Sequence, residues 1–168
     1  RNKGDLFAAM FERIALPMEE LVQQAAGDDV ADPLQKIRDI GVYLLRRTAQ
    51  DPQCRRVFEI LFHKCEAVEE MAAPLARQMQ CRAGGIAMIE RAFLNAIRKG
   101  HLPAGVNAKR AANGLACYVD GLLYNWLIDP KAFPLARDAE ALVDQYLAGL
   151  GAVPAKARAD DLVERMTA

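Results

Sequence analysis

Serine is absent from all 168 residues. That removes every mechanism built on a serine nucleophile. Histidine occurs only twice, at His63 and His101. His63 and Cys65 stand two apart in a helical stretch and so point to different sides, a poor start for a tetrahedral metal site. No metal and no cofactor are expected, and His63 is expected to pack and hydrogen-bond within a helical bundle. Phosphate-binding loops and the Gly-x-Gly-x-x-Gly pattern are missing. Excess charge is missing too: 22 basic residues balance 22 acidic ones. Proteins that grip nucleic acid draw much of their affinity from a basic surplus, so this chain is not expected to hold DNA by itself. The four cysteines, Cys54, Cys65, Cys81 and Cys117, make no Cys-x-x-Cys pair or compact disulfide framework. Scattered thiols suit a reducing cytoplasm. No apolar run approaches the roughly 18 residues of a membrane helix. The chain opens at Arg1 without a charged-then-apolar leader, so a cytoplasmic location is expected.

What remains reads as helix. Hydrophobic residues make up 52% and charged residues 26%, the balance of an ordinary globular domain. Ala, Leu and Arg are the commonest residues, and no strand-like alternation occurs. The first helix is expected over about 3–26, with Leu6, Phe7, Met10, Phe11, Ile14, Met18, Leu21, Val22 and Ala25 at the 3.6-residue period. Pro17 inside it predicts a kink. Asp32-Pro33 and Asp51-Pro52 each place a capping Asp before a proline at the first helical position. They predict helices over about 33–50 and from 52 to about 65. A fourth helix is expected over about 68–99, striped by Val68, Met71, Leu75, Met79, Ile86, Ile89, Phe93 and Ile97. Gly84-Gly85 interrupts it and reads better as a site of close helix packing than as a weak point beside a cavity. Asn107 caps a fifth helix over about 108–128. A sixth runs over about 135–150, and the tail from Pro154 is Ala-rich and charged. The fold class is therefore all-α, with about six helices.

Two features ask for a partner. The fifth helix is apolar nearly all round, from Ala111 and Ala112 through Leu115, Val119, Leu122 and Leu123 to Trp126 and Leu127. Such a helix needs burial on two sides, and a second copy of the chain supplies the second side. Leu122 and Trp126, with Leu135, Leu142, Val143, Tyr146 and Leu150 of the sixth helix, are the expected homodimer face. Ala139, Ala141, Ala148 and Gly149 allow close approach. The second feature is Asp120, a lone carboxylate in that apolar helix. A buried charge without a partner is very costly. An internal arginine, a backbone donor, or a cationic or hydrogen-bonding ligand would each answer it.

Several blocks resemble TetR-family transcriptional repressors. Arg1-Asn2-Lys3-Gly4-Asp5-Leu6-Phe7 is similar to the stretch that follows the recognition helix in that family. Ile60-Leu61-Phe62-His63-Lys64-Cys65-Glu66, with Glu70-Met71, looks like the AcrR and TtgR branch, which controls multidrug-efflux pumps. Arg98-Lys99-Gly100-His101-Leu102-Pro103, Arg110-Ala111-Ala112, Tyr118-Val119-Asp120-Gly121-Leu122 and Trp126-Leu127 follow in the same order.

The resemblance implies a ligand-sensing and dimerising bundle whose last two helices pair with a second subunit in a four-helix interface. Residues 1–26 would be the connecting helix, 27–153 the ligand-binding and dimerisation domain, and 154–168 a tail. About fifty further residues forming a helix-turn-helix would precede the connecting helix and supply the only contact with operator DNA. Effectors would be hydrophobic or aromatic small molecules. By position, the family pocket falls on Ile14, Met18, Ile37, Ile40, Leu44, Phe58, Phe62, Met88, Ile89, Leu115, Val119, Asp120, Leu123 and Tyr124. Some relatives carry polar groups where this chain has Phe58 and Phe62, so a more aromatic pocket is implied. Two other readings stay open: a dimeric helical module without a regulatory ligand, and a small helical enzyme using Asp120 or Cys65.

Overall fold

The computed structural model describes residues 3–64, 69–154 and 158. Among them run six α-helices: α1 (Lys3–Ala25), α2 (Pro33–Gln50), α3 (Pro52–Glu59), α4 (Ala72–Arg98), α5 (Ala108–Ile128) and α6 (Leu135–Gly149). A π-helical turn, Ile60–Lys64, extends α3, and a 3-10 turn, Glu69–Met71, leads into α4. The expected third helix thus ends in a wider turn. Cys65 and Val68 lie outside the described residues, as does all of the tail beyond Pro154 except Arg158.

The capping logic holds at atomic level. The Asp32 carboxylate accepts the Gln35 N–H at 2.9 Å, and Asp51 accepts those of Gln53 and Cys54. Asn107 accepts the Arg110 N–H at 2.9 Å. Each bond satisfies one of the donors that a helix N-terminus leaves without an intrahelical partner. Buried Arg158 holds Asp32 from the other side, with Nε 2.9 Å from Oδ2. The helix α1 continues through Pro17 as one helical segment.

The main core gathers Leu34, Ile37 and Leu45 of α2, Phe93 of α4, Leu115, Leu123 and Trp126 of α5, and Leu135 and Val143 of α6. A smaller cluster joins Phe7, Phe11, Ile14 and Ala15 of α1 to Cys54 and Val57 of α3. Not every periodic position is inside. Leu6 is 64% exposed and Met79 68% exposed, so both lie on the outer faces of their helices.

Helix α6 lies along α2. At Gly41 a Cβ would approach Val143 to 3.2 Å, so glycine lets the two backbones close in. Arg38 clamps their outer edges, with Nε 2.6 Å from Asp144 and Nη2 2.8 Å from Glu140. Two stacked tyrosines tie α6 to α5: Tyr146 donates to the Ala111 carbonyl at 2.8 Å and Tyr118 to the Leu142 carbonyl at 3.2 Å. A Cβ at Gly114 would strike the Tyr146 hydroxyl at 2.5 Å, so the first of these bonds depends on glycine there.

Arg77 ties α4 to α1. Its guanidinium reaches Glu12 at 2.8 Å and Glu19 at 2.8 Å, two carboxylates on either side of Pro17. The proline removes one intrahelical bond at this point. The forked arginine braces the helix across the same turn.

Candidate functional site

A cavity of about 200 Å³ lies between α1, α2, α3 with its π turn, α4 and α5. Helical period decides which side chains reach it. From α1 come Phe11, Ile14, Ala15, Met18, Glu19 and Val22, which are spaced three, four, seven, eight and eleven along one face. The same spacing on α4 brings in Gln78, Cys81, Arg82, Gly85, Ile86 and Ile89. Helix α2 gives Ile37, Ile40, Gly41 and Leu44, and α5 gives Leu115, Ala116, Val119 and Asp120. Phe58, Leu61 and Phe62 close one wall, where the two phenyl rings stack at 5.7 Å.

Of the residues named for the pocket from the resemblance, Ile14, Met18, Ile37, Ile40, Leu44, Phe58, Phe62, Ile89, Leu115, Val119 and Asp120 line this space. Three do not. Met88 is one residue before Ile89, and that step of about 100° turns it outward, where it is 37% exposed. Leu123 is fully buried in the main core. Tyr124 sits behind the wall: its ring meets Phe62 edge-on at 6.2 Å and His63 at 4.6 Å. His63 itself is exposed and packs on that tyrosine, in place of the interior hydrogen-bonding role expected of it. The residues that sequence reasoning missed, Phe11, Ala15, Glu19, Val22, Gln78, Cys81, Arg82, Gly85 and Ile86 among them, follow from extending the Ile14 and Ile89 stripes by whole turns.

The Gly84-Gly85 pair also needs correction. A Cβ at either position would meet nothing within 4 Å, so no neighbouring helix packs close there. Gly85 opens onto the cavity and Gly84 onto solvent. Replacing either by alanine should therefore stabilise α4 by about 1 kcal/mol. That corresponds to roughly 2–4 °C in melting temperature for a chain of this size. Only Gly85→Ala should also weaken cavity ligands, because only its methyl enters their space. Calorimetric melting and ligand titration of both variants check this, and equal effects on binding would contradict it.

The lining is apolar except for Glu19, Gln78, Cys81, Arg82 and Asp120. Asp120 is answered by an internal arginine, since its carboxylate makes a short contact with the Arg82 guanidinium. Burial pushes the Asp120 carboxyl above its ordinary range, and Arg82 opposes that rise. Glu19 is held low by its hydrogen bond to Arg77. Burial and the neighbouring Glu19 carboxylate push the Cys81 thiol up to about 11. It is therefore a neutral, weakly polar group near pH 7 and no ready nucleophile.

The expected dimer face divides in two. Trp126, Leu135 and Val143 are 5%, 1% and 0% exposed within the single protomer, so they belong to its own core. Ala139 is likewise buried. Leu122, Leu142, Tyr146 and Leu150 are half-buried, and Ile128 is 62% exposed beside them on the sequence of α5. The reason is geometric: α6 turns one stripe to α2 and α5 turns one to α4, and the sequence pattern did not separate the two sides.

Residues 32–151 match the family described as MAATS-type transcriptional repressor, C-terminal region. The chain belongs to this TetR-type repressor family. It is similar to the HTH-type transcriptional regulator TtgR of Pseudomonas putida, with 34% identity over 159 residues, covering 92% of this chain and 73% of that protein. Among solved structures it resembles NalD, the secondary repressor of the MexAB-OprM multidrug efflux pump in Pseudomonas aeruginosa. The two share 28% identity and a TM-score of 0.77, over 89% of this chain and 74% of NalD. A complex of SmeT with triclosan matches at 26% identity and a TM-score of 0.77, over 88% of this chain and 70% of that one. These relatives are transcriptional regulators. Among the described residues, no helix is long and apolar enough to cross a membrane.

Proposed function

We propose that this chain is the effector-binding and dimerising region of a repressor of a multidrug-efflux operon. A small hydrophobic molecule enters the cavity, and the repressor leaves its operator. The observation that carries this reading is the cavity: a largely apolar space walled by five helices and stacked phenyl rings, in a chain whose structural relatives NalD and SmeT are repressors of multidrug efflux pumps, SmeT also being known in complex with triclosan. Its size, about 200 Å³, lies below the roughly 300–1,000 Å³ of drug-sized pockets, so compact ligands of one or two rings fit best.

The wall contributed by α1 gives the mechanism its lever. Six residues of α1 border the cavity, and α1 is the helix that would connect to an N-terminal helix-turn-helix. A ligand that fits better when α1 is displaced shifts the population toward that state, by no more than its difference in affinity for the two. DNA contact belongs to the helix-turn-helix, in keeping with the zero net charge here. A second subunit covers the half-buried apolar side of α5 and α6, in the cytoplasm.

Triclosan is the natural first probe. Calorimetric titration of this chain should give roughly micromolar affinity, or about 8 kcal/mol. It should also raise the melting temperature, by an amount that grows with the logarithm of ligand concentration above the dissociation constant. No heat and no thermal shift up to the solubility limit would reject the effector reading.

A further inference from the structure

The Arg82–Asp120 pair is lopsided. Asp120 rises on a short stem from the inner face of α5 and forms part of the cavity wall. Arg82 crosses from α4 on a long flexible stem; its side chain is 37% exposed against 30% for Asp120, so the two differ in reach and not in exposure. The positions next to it on the solvent side, Ala83 and Gly84, are exposed, and nothing lies within 4 Å of where a Gly84 side chain would begin. The guanidinium is thus free to swing into water, whereas the carboxylate stays where it is.

We infer that Arg82 is an intramolecular occupant of a cation subsite. Its guanidinium fills the place that the ammonium group of an aromatic amine takes on Asp120, and such a ligand binds by exchanging with it. This inference rests on the effector reading of the cavity and names a ligand class for it.

Charge around the cavity supports the exchange. Helix α1 presents Glu19, whose partner Arg77 is already shared with Glu12. Helix α4 presents Gln78, Cys81 and Arg82, and α5 presents Asp120. His63 of the π turn faces Tyr124. The lining residues of α2 and α3 carry no charge. Among the lining residues two carboxylates therefore face one guanidinium. Once Arg82 swings out, Asp120 is left without a counter-charge and the Glu12–Arg77–Glu19 trio keeps one net negative charge, so the site attracts a cation and repels an anion. The stacked Phe58 and Phe62 offer the aromatic part of the ligand a matching surface.

The two partners should then respond with opposite signs. Three probes of one shape read this out by calorimetry near neutral pH: 1-naphthylmethylammonium, 1-naphthylmethanol and 1-naphthoate. Arg82→Ala removes the internal competitor, and the ammonium probe should bind about three- to tenfold more tightly. Asp120→Asn should weaken the same probe at least tenfold. The alcohol should change by less than about twofold in both variants, because it carries no charge to exchange. Arg82→Gln, which keeps bulk and polarity, repeats the first test should the alanine variant melt too low. If either Arg82 variant leaves the ammonium probe unchanged or weaker while the alcohol still binds, the inference is overturned and the effector reading stands. A wild-type chain that holds naphthoate through Arg82, shown by its loss in Arg82→Ala, also overturns it. Failure of the wild-type chain to bind the alcohol removes both readings together.

Discussion

Trp126→Arg should leave little folded protein, whereas Leu122→Arg should leave a folded monomer. Trp126 is 5% exposed within one protomer, and the Arg55 guanidinium lies 4.8 Å from its ring centroid. Removing a buried tryptophan side chain costs about 3–5 kcal/mol. A buried unpaired arginine adds several kcal/mol more, and here it would stand beside a like charge. Together these rival the whole stability of a domain, about 5–15 kcal/mol. Leu122 is half-buried at the edge of the main core, which it packs against, so an arginine there can turn its charge to water in the monomer but meets the partner in the proposed dimer. Far-UV circular dichroism and sedimentation at micromolar concentration separate the two outcomes. A folded, monomeric Trp126→Arg variant would contradict the burial described for it, and a dimer that survives Leu122→Arg would move the interface elsewhere.

The contrast between these two residues marks the limit of what periodicity reveals. Helix starts were legible because they are local: Asp32-Pro33, Asp51-Pro52 and Asn107 cap as their chemistry dictates, and α2 and α5 begin where they should. The division of an all-round apolar helix into a core side and an outer side is not local. It depends on where α2, α4 and α6 sit around α5, which the chain pattern of α5 does not contain. Gly84-Gly85 illustrates the same point. Two glycines in a helix are equally suited to close packing and to open space, and only the absence of an opposing side chain decides between them. Asp120 announced itself as a charge in need of an answer. Its answer, Arg82, lies 38 residues earlier on another helix and carries no mark of its own among the many surface arginines.

Ile89→Trp should abolish ligand binding without loss of stability. Ile89 is half-buried and borders the cavity on the α4 side, opposite the α1 and α2 walls. An indole at this position grows into free volume in place of neighbouring atoms, so the usual overpacking cost of about 1–3 kcal/mol is largely avoided. Filling a void of this kind is more often neutral or stabilising, since dispersion contacts are gained on surfaces that had none. Affinity for a two-ring ligand should fall by more than tenfold, or more than about 1.4 kcal/mol. The melting temperature without ligand should stay level or rise, and the ligand-induced shift should vanish. A variant that binds as tightly as the parent chain would place the ligand outside this cavity.

The space between α1, α2, α3, α4 and α5 should hold a small hydrophobic effector. A crystal structure of this chain with saturating triclosan tests it most directly. The ligand's rings should lie between Phe62, Ile89 and Val119, with α1 displaced relative to the ligand-free form. An empty cavity under saturation, or triclosan seated only on the outer surface, would contradict it.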